Sequence, residues 1–443
     1  MTRSRRRFAM LVGLLTVGAC GANQPTNGAS TTEGTAARSS APAPTGKGAV
    51  EVAAKVPRSA ASADLASAVR SVNELGYSLL GTTLGTGNGN VALSPWSIAT
   101  ALTMARAGAE GQTAAEMDKV LAITDAVGIH ASANALDLAL ASRNGTFKLN
   151  GGTMAVELAT ANRAFVQRDS SFEHPFLETL AADYGAGVGL VDYKAAAEEA
   201  RASINRWVAS QTKDRIPNLI DRGVLDAMTR LVLVNAVYLK ADWQTPFVET
   251  ATAPATFHAP SKDVTVAMMH GSEYRHFAAG DGWKAVELAY GDGKLAMVVV
   301  SPDAGRFDAV TGALPAVLAA VKTSDGGEVN LSLPTFDIAS SVRLKERLAA
   351  LGMPTAFSAA ADFSAMSTTE PLQIADVVHQ ANLTVNEHGT VASAATAVIV
   401  RASSASSHIE QMVVDRPFLY AIVDQPTGAI LFAGQVTDPS ASS

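Results

Sequence analysis

Apolar positions along this chain repeat with two different periods. In DLASAVRSVNELGYSLL (residues 64–80), Leu65, Val69, Val72, Leu75 and Leu79 keep to one face at helical spacing. LSPWSIATALTMARAGA (93–109) predicts a second helix. Ser94 stands at the N-cap and Pro95 at the first helical position, where its missing N–H costs nothing. Ile98, Leu102 and Ala105 form the buried stripe of that helix, and AAAEEARASINRWVASQT (195–212) predicts another. The middle and end read as strand. LVLVNAVYL (231–239) is a continuous apolar, β-branched run of the kind found in strands covered on both faces. AVELAY (285–290), KLAMVVVSP (294–302) and VNLSLPTFDI (329–338) add further strand segments. FLYAIV and AILFAGQV flank the turn signal Asp424-Gln-Pro-Thr-Gly428, which predicts a closing hairpin. Helices first and strands mostly later, without regular alternation, indicate an α+β fold around large sheets.

The N-terminus breaks both periods. MTRSRRR is basic, FAMLVGLLTVGA is a short apolar stretch, and Cys20 follows at once. This is the layout of a secretion signal over residues 1–19, too short to remain as a membrane span. Val17-Gly18-Ala19-Cys20 fits the bacterial lipobox, so Cys20 is expected to be lipidated. Ser4 to Phe8 also resembles a twin-arginine signal, although Ala9-Met10 departs from its usual continuation, and the export route stays open. Cys20 is the single cysteine of the chain, which rules out an internal disulfide. Residues 21–49 hold no Val, Leu, Ile, Met or aromatic residue before Val50, so a flexible tether is expected over 20–60, with one folded domain over 61–443. The localisation that follows is export, with a membrane-anchored lipoprotein facing the periplasm or the extracellular space.

Net charge is −7, with no basic block beyond the signal, which argues against a nucleic-acid partner. No G-x-S-x-G elbow, H-E-x-x-H, phosphate-binding glycine loop or paired-cysteine metal site is present. No catalytic residue, cofactor or metal is therefore assigned, and the chain reads as a non-enzyme.

Five separated segments, in order, carry a family resemblance. NVALSPWSIATALTMARAGAEGQT (90–113), INRWVASQTKDRIPNLI (204–220), LVLVNAVYLKADWQTPF (231–247), VVHQANLTVNEHGTVASAAT (377–396) and RPFLYAIVDQPTGAILFAGQVTDP (416–439) resemble the serpins. The resemblance implies the serpin fold: helices packed around three β-sheets, with a large central sheet and an exposed reactive-centre loop. It places Ser94, Ser97, Asn235 and His379 in a polar "shutter" beneath the centre of that sheet, and Trp243 at the "breach" at its top. It also implies suicide inhibition by a metastable monomer. A serine protease cleaves the loop, forms an acyl-enzyme, and is trapped when the cleaved loop enters the sheet as a new strand. The alternative implied is a non-inhibitory serpin-fold binding or carrier protein.

The loop's own chemistry bears on that choice. Counting from Glu387, Gly389 supplies a hinge, and Thr390, Ala392, Ala394, Thr396, Val398 and Val400 alternate along one face. Val391, Ser393, Ala395, Ala397 and Ile399 take the other face; Val391 departs from the Glu that the family favours there. Arg401 is the one ionised residue between Glu387 and Glu410, and it falls on the outward set, so no charge would be stranded in the core. The family's spacing puts the reactive bond at Ser403–Ser404; Ala402–Ser403 and Arg401–Ala402 remain alternatives. Small residues about the bond favour an elastase- or subtilisin-like target, while Arg401 leaves a trypsin-like one open.

Overall fold

The computed structural model describes residues 49–60, 64–85, 87–149, 152–390 and 409–441. The expected Cys20, Val391, Ala392, Ser393, Ala394, Ala395, Thr396, Arg401, Ala402, Ser403 and Ser404 lie outside the described residues. Three sheets are present among those described.

The largest sheet joins β1 (Val50–Val52), β3 (Gly145–Leu149), β4 (Gly152–Gln167), β5 (Val188–Val191), β6 (Leu231–Asp242), β13 (Phe336–Arg343), β14 (Ile374–Asn386) and β15 (Gly389–Thr390). Its order is β1-β5-β4-β6-β15-β14-β13, with β3 paired to β4. A second sheet contains β2 (Val91–Leu93), β9 (Phe277–Gly280), β10 (Trp283–Tyr290), β11 (Leu295–Pro302), β17 (Phe418–Asp424) and β18 (Ile430–Val436). The third holds β7 (Ala253–His258), β8 (Asp263–Arg275), β12 (Gly327–Pro334) and β16 (Glu410–Val413). Helices α1 (Ala66–Thr83), α2 (Pro95–Arg106), α3 (Gly111–Val120), α4 (Ile129–Ala141), α5 (His174–Tyr184) and α6 (Tyr193–Gln211) account for most of the first half.

Two cores explain the unbroken apolar run of β6. Leu231, Leu233, Val237, Leu239 and Ala241 face the main core, which includes Leu75 and Leu79 of α1 and Ile98 and Leu102 of α2. Val232, Val234 and Ala236 face a second cluster with Ile204 and Val208 of α6, Ile216 and Ile220. A strand sandwiched between helices must be apolar on both faces, which is how its sequence reads. α2 starts as its sequence predicts: the Ser94 hydroxyl accepts from the Ser97 N–H at 3.3 Å, with Pro95 at the first helical position.

The structure differs from the sequence reading in three places. The run 329–338 is not one strand. It breaks at Thr335, whose N–H donates to Ala267 O, and its halves enter different sheets as β12 and β13. The 16-residue strand β4 is not signalled by the sequence, because its alanines and mixed polar residues carry no clean alternation. Finally, residues 49–60, read as tether, pack onto the body. β1 adds to the edge of β5, Glu51 pairs with Arg163 at 2.8 Å, and Arg58 donates to Asn134 at 2.9 Å and to Asp137 at 2.5 Å. The Ser59 N–H donates to Ala182 O at 2.7 Å. An open sheet edge and a set of polar groups more than seventy residues away supply what this local composition lacks. Among the described residues, no helix is long and apolar enough to cross a membrane.

Candidate functional site

β6 and β14 run parallel and pair directly from Ile374–Leu231 to Asn382–Tyr238. Beyond Tyr238 the two strands are parted by β15. Gly389 and Thr390 lie antiparallel to both, with Gly389 opposite Asp242 and Asn386, and Thr390 opposite Ala241 and Val385. The sheet is thus sealed over most of its length and wedged open at one end by two residues.

Across the sealed part runs a row of polar side chains. Asn162 of β4 stands opposite Asn235 of β6, and Asn235 opposite His379 of β14. Asn235 and His379 share with Leu233, Val237, Val377 and Ala381 the face turned to the main core, where Ser94 and Ser97 begin α2. All four residues expected as a cluster are fully buried and meet in one network. The Ser94 N–H donates to His379 Nε2 at 3.0 Å, so this nitrogen carries no proton. His379 Nδ1 therefore holds the proton and donates it to Asn235 Oδ1. Asn235 Nδ2 spends its two hydrogens on Ser97 Oγ and Asn162 Oδ1, each at 2.6 Å, and the Ser97 hydroxyl donates to Asn162 Oδ1 at 2.9 Å. Burial lowers the His379 pKa from 6.5 to about 3, which keeps the ring neutral as this donor pattern requires. Asn162 was not foreseen from sequence. Its signal is faint: one amide at an inward position of an alanine-rich strand.

The wedged end is organised by Trp243, buried to 1 % exposure. Its indole N–H donates to Asn386 O at 2.9 Å and its backbone N–H to His388 O at 2.8 Å. The Phe247 N–H donates to Glu387 O at 2.8 Å. The carbonyls of Asn386, Glu387 and His388, the turn into β15, are thus all held. The indole stacks on Tyr290 at 4.3 Å between centroids, 11° from parallel, and the Tyr290 hydroxyl meets Thr390 Oγ1 at 2.6 Å. The Glu387 carboxylate accepts from the Thr252 hydroxyl at 2.7 Å, and the His388 ring lies 2.6 Å from Glu249 Oε1. Gly389 has φ +149°, and a Cβ there would lie 2.1 Å from Ala241 O, so no side chain fits between the two flanking strands. Among the described residues, no group of three or more metal-ligating side chains occurs.

The flank of this end carries a polar side chain of a different kind. Arg275, at the end of β8, is 8 % exposed, and its guanidinium carbon lies 5.6 Å from the ring centre of Phe247. Its Nε has no hydrogen-bond partner. Desolvation lowers its pKa to about 10, and the negative charge of Glu273 offsets only part of this.

The chain matches the family model described as "Serpin (serine protease inhibitor)" over residues 70–439. It is 36% identical over 376 residues to an uncharacterized serpin-like protein of Thermococcus kodakarensis, covering 84% of this chain and 85% of that one. It is also 36% identical over 363 residues to the leukocyte elastase inhibitor of Xenopus tropicalis, covering 79% of this chain and 93% of that one. The thermophilic serpin tengpin, solved in its native state, superposes with a TM-score of 0.79 at 23% identity, covering 88% of this chain and all of that one. The chain belongs to the serpin family and has the serpin fold.

Proposed function

We propose that this serpin is an exported, membrane-tethered inhibitor that traps serine proteases by inserting its cleaved loop into the largest sheet. One observation carries the reading: Gly389 and Thr390 already occupy the position of a strand between β6 and β14, antiparallel to both, while the rest of that slot is closed by direct pairing. Completing the slot replaces one parallel ladder by two antiparallel ones, a net gain of backbone hydrogen bonds and buried apolar contact. The register extends the argument. Thr390 lies opposite Ala241 and Val385, which face the main core, so the alternation read from sequence turns Ala392, Ala394, Thr396, Val398 and Val400 to the same side on insertion. None of these is charged or bulky.

In the proposed reaction the protease serine attacks the carbonyl of Ser403. Its proton passes through the protease's base to the leaving amine of Ser404, the C–N bond breaks, and an ester to Ser403 forms. Insertion then proceeds before water can cleave the ester. The resemblance to an elastase inhibitor and the small residues about the bond favour an elastase- or subtilisin-like target. Incubation with elastase, subtilisin and trypsin should give a covalent complex that survives denaturing electrophoresis. Turnover of the loop by all three without such a complex would overturn the reading. A cleaved chain whose melting temperature stays unchanged would point instead to a carrier that stores no strain.

A further inference from the structure

β4 is covered along its outer edge by two strands that do not meet. β3 pairs with it as far as Val156, and β5 pairs with it from Phe165 onward. Hydrogen bonds at either side of this gap show which backbone groups face it. The Leu158 N–H donates to Asn144 Oδ1 at 2.6 Å and the Arg168 N–H to Val191 O at 2.9 Å, both away from β6. The Ala155 N–H turns the other way, to Asp242 Oδ2 of β6 at 2.8 Å. Backbone groups alternate in an antiparallel pair, so those of the even-numbered residues point outward. Thr160 and Asn162 therefore each turn an N–H and a C=O into a gap that, among the described residues, no strand fills.

A cavity of about 210 Å³ lies at this gap, lined by Thr160, Asn162 and Arg163 of β4 and by Trp207 and Gln211 of α6. At a liquid-water share of about 30 Å³ each, it has room for roughly seven waters, the size of a small organic molecule rather than of a single ion. Its wall is rich in donors. The Arg163 guanidinium carbon lies 4.5 Å from the Trp207 ring centre, its Nη2 donates to Glu51 at 2.8 Å, and its Nε is buried without a partner. Arg58, also in the wall, spends its Nε on Asn134 and its Nη2 on Asp137, the one carboxylate among the described lining residues. Glu51 does not line the cavity, and its side chain is 46% exposed. A buried guanidinium N–H left unpaired is costly, and a charged acceptor is its strongest partner.

We infer that this cavity is a binding site for a small carboxylate with an amide beside it, such as an N-acylated amino acid. The carboxylate meets the Arg163 Nε, and the amide pairs with the open backbone edge at Thr160 and Asn162, as a residue of an added strand would. The site adjoins the polar row, because Asn162 Oδ1 accepts from Ser97 and Asn235 within it. A bound ligand bridges β4 and α6 beside that row, so occupancy should raise the urea midpoint of the first unfolding transition.

The experiment titrates the full chain with N-acetylglycine, acetate, N-acetylglycinamide and inorganic phosphate by calorimetry. N-acetylglycine should bind one to one, with a Kd of about 1 mM or below. Acetate lacks the amide and N-acetylglycinamide lacks the charge, and each should bind at least about tenfold more weakly. Arg163→Lys keeps a positive charge for Glu51 but has no guanidinium Nε, and should weaken N-acetylglycine by about tenfold. A second measurement does not depend on that variant. N-acetylglycine should change the tryptophan fluorescence of the native chain, and Trp207→Phe should abolish the change while calorimetric binding persists. No saturable binding, or binding indifferent to Arg163→Lys, would overturn the site. A fluorescence change that survives Trp207→Phe would place the ligand elsewhere and overturn it too. Phosphate bound as tightly as N-acetylglycine would overturn the assignment to an amide-bearing carboxylate.

Discussion

The same two strands, β6 and β14, are held together in two different ways at levels seven residues apart. At Asn235 and His379 they pair directly, and beneath them the Ser94 N–H, the Ser97 hydroxyl, both Asn235 Nδ2 hydrogens and the His379 Nδ1 proton each have an acceptor. At Asp242 and Asn386 they are parted by β15, and nearby the buried Arg275 guanidinium holds an Nε with no partner. Buried polar groups that are fully satisfied rigidify a site, and unsatisfied ones weaken it. The observed difference is that the strands pair directly at the polar row and are already parted at the other end. In the proposed mechanism, the wedge lets insertion start without first breaking the polar row.

The largest expected effect follows from carrying β15 down the sheet. The register brings Thr396 opposite both Asn235 and His379, on the core-facing side. Thr396→Arg should leave cleavage by the target protease unchanged and reduce the yield of covalent complex by about 100-fold or more. A guanidinium buried there without an acidic partner costs several kcal/mol and should stall insertion at that row. Stoichiometry and denaturing electrophoresis read both quantities at once. Normal trapping by this variant would break the assignment of the polar row as the level that insertion must cross.

How much of this contrast the sequence carried depends on the residue. Ser94 and Pro95 declare a helix start by local chemistry, and the unbroken run of β6 declares a strand covered on both faces. Asn235 and His379 were identified only through the motifs around them, because a polar residue inside an apolar strand says nothing of its partner. Asn162 was missed for the same reason, with no flanking motif to help. The two-residue strand β15 has no periodicity at all. Its place follows from Trp243, Tyr290 and the open ends of β6 and β14, which meet only in three dimensions. Val50 to Arg58 failed for a similar reason: their contacts are with β4, β5, α4 and α5, and composition cannot see an unfilled edge.

A smaller effect tests the polar row through pH. The pKa of His379 is about 3 in the folded chain against an ordinary 6.5, so between these values the unfolded state binds more protons. Stability is then complete above pH 6.5 and declines as pH falls towards 3. From pH 7 to pH 5 the loss is about 2 kcal/mol, at ~1.36 kcal/mol per unit. His130, half-buried against Tyr184 with its pKa lowered to about 4, adds a similar loss in the same window. The first unfolding transition in urea should accordingly move to lower concentration at pH 5, and His130→Gln should remove about half of that movement. A transition indifferent to pH over this range would mean that the row does not hold a neutral imidazole.

The smallest effect sharpens the other side of the comparison. Arg275 holds its charge against Phe247, where a cation over an aromatic face returns only ~0.5–2 kcal/mol, while desolvation of a guanidinium that Glu273 only partly offsets costs more. Arg275→Met keeps a long flexible side chain against that ring and removes both the charge and the orphaned Nε. The variant should be more stable by about 1–2 kcal/mol, seen as a higher urea midpoint for the first transition. Because the Phe247 N–H holds Glu387 O beside the hinge, a stiffer Phe247 should also hold the entrance to the slot more firmly. The gain in stability should therefore come with slower insertion: loop cleavage at the normal rate, but a modestly higher stoichiometry of inhibition. Raised stability with unchanged stoichiometry would separate Arg275 from the opening step. Lowered stability would show that the ring contact outweighs the desolvation, and that this end of the sheet is not weakened by its desolvated cation.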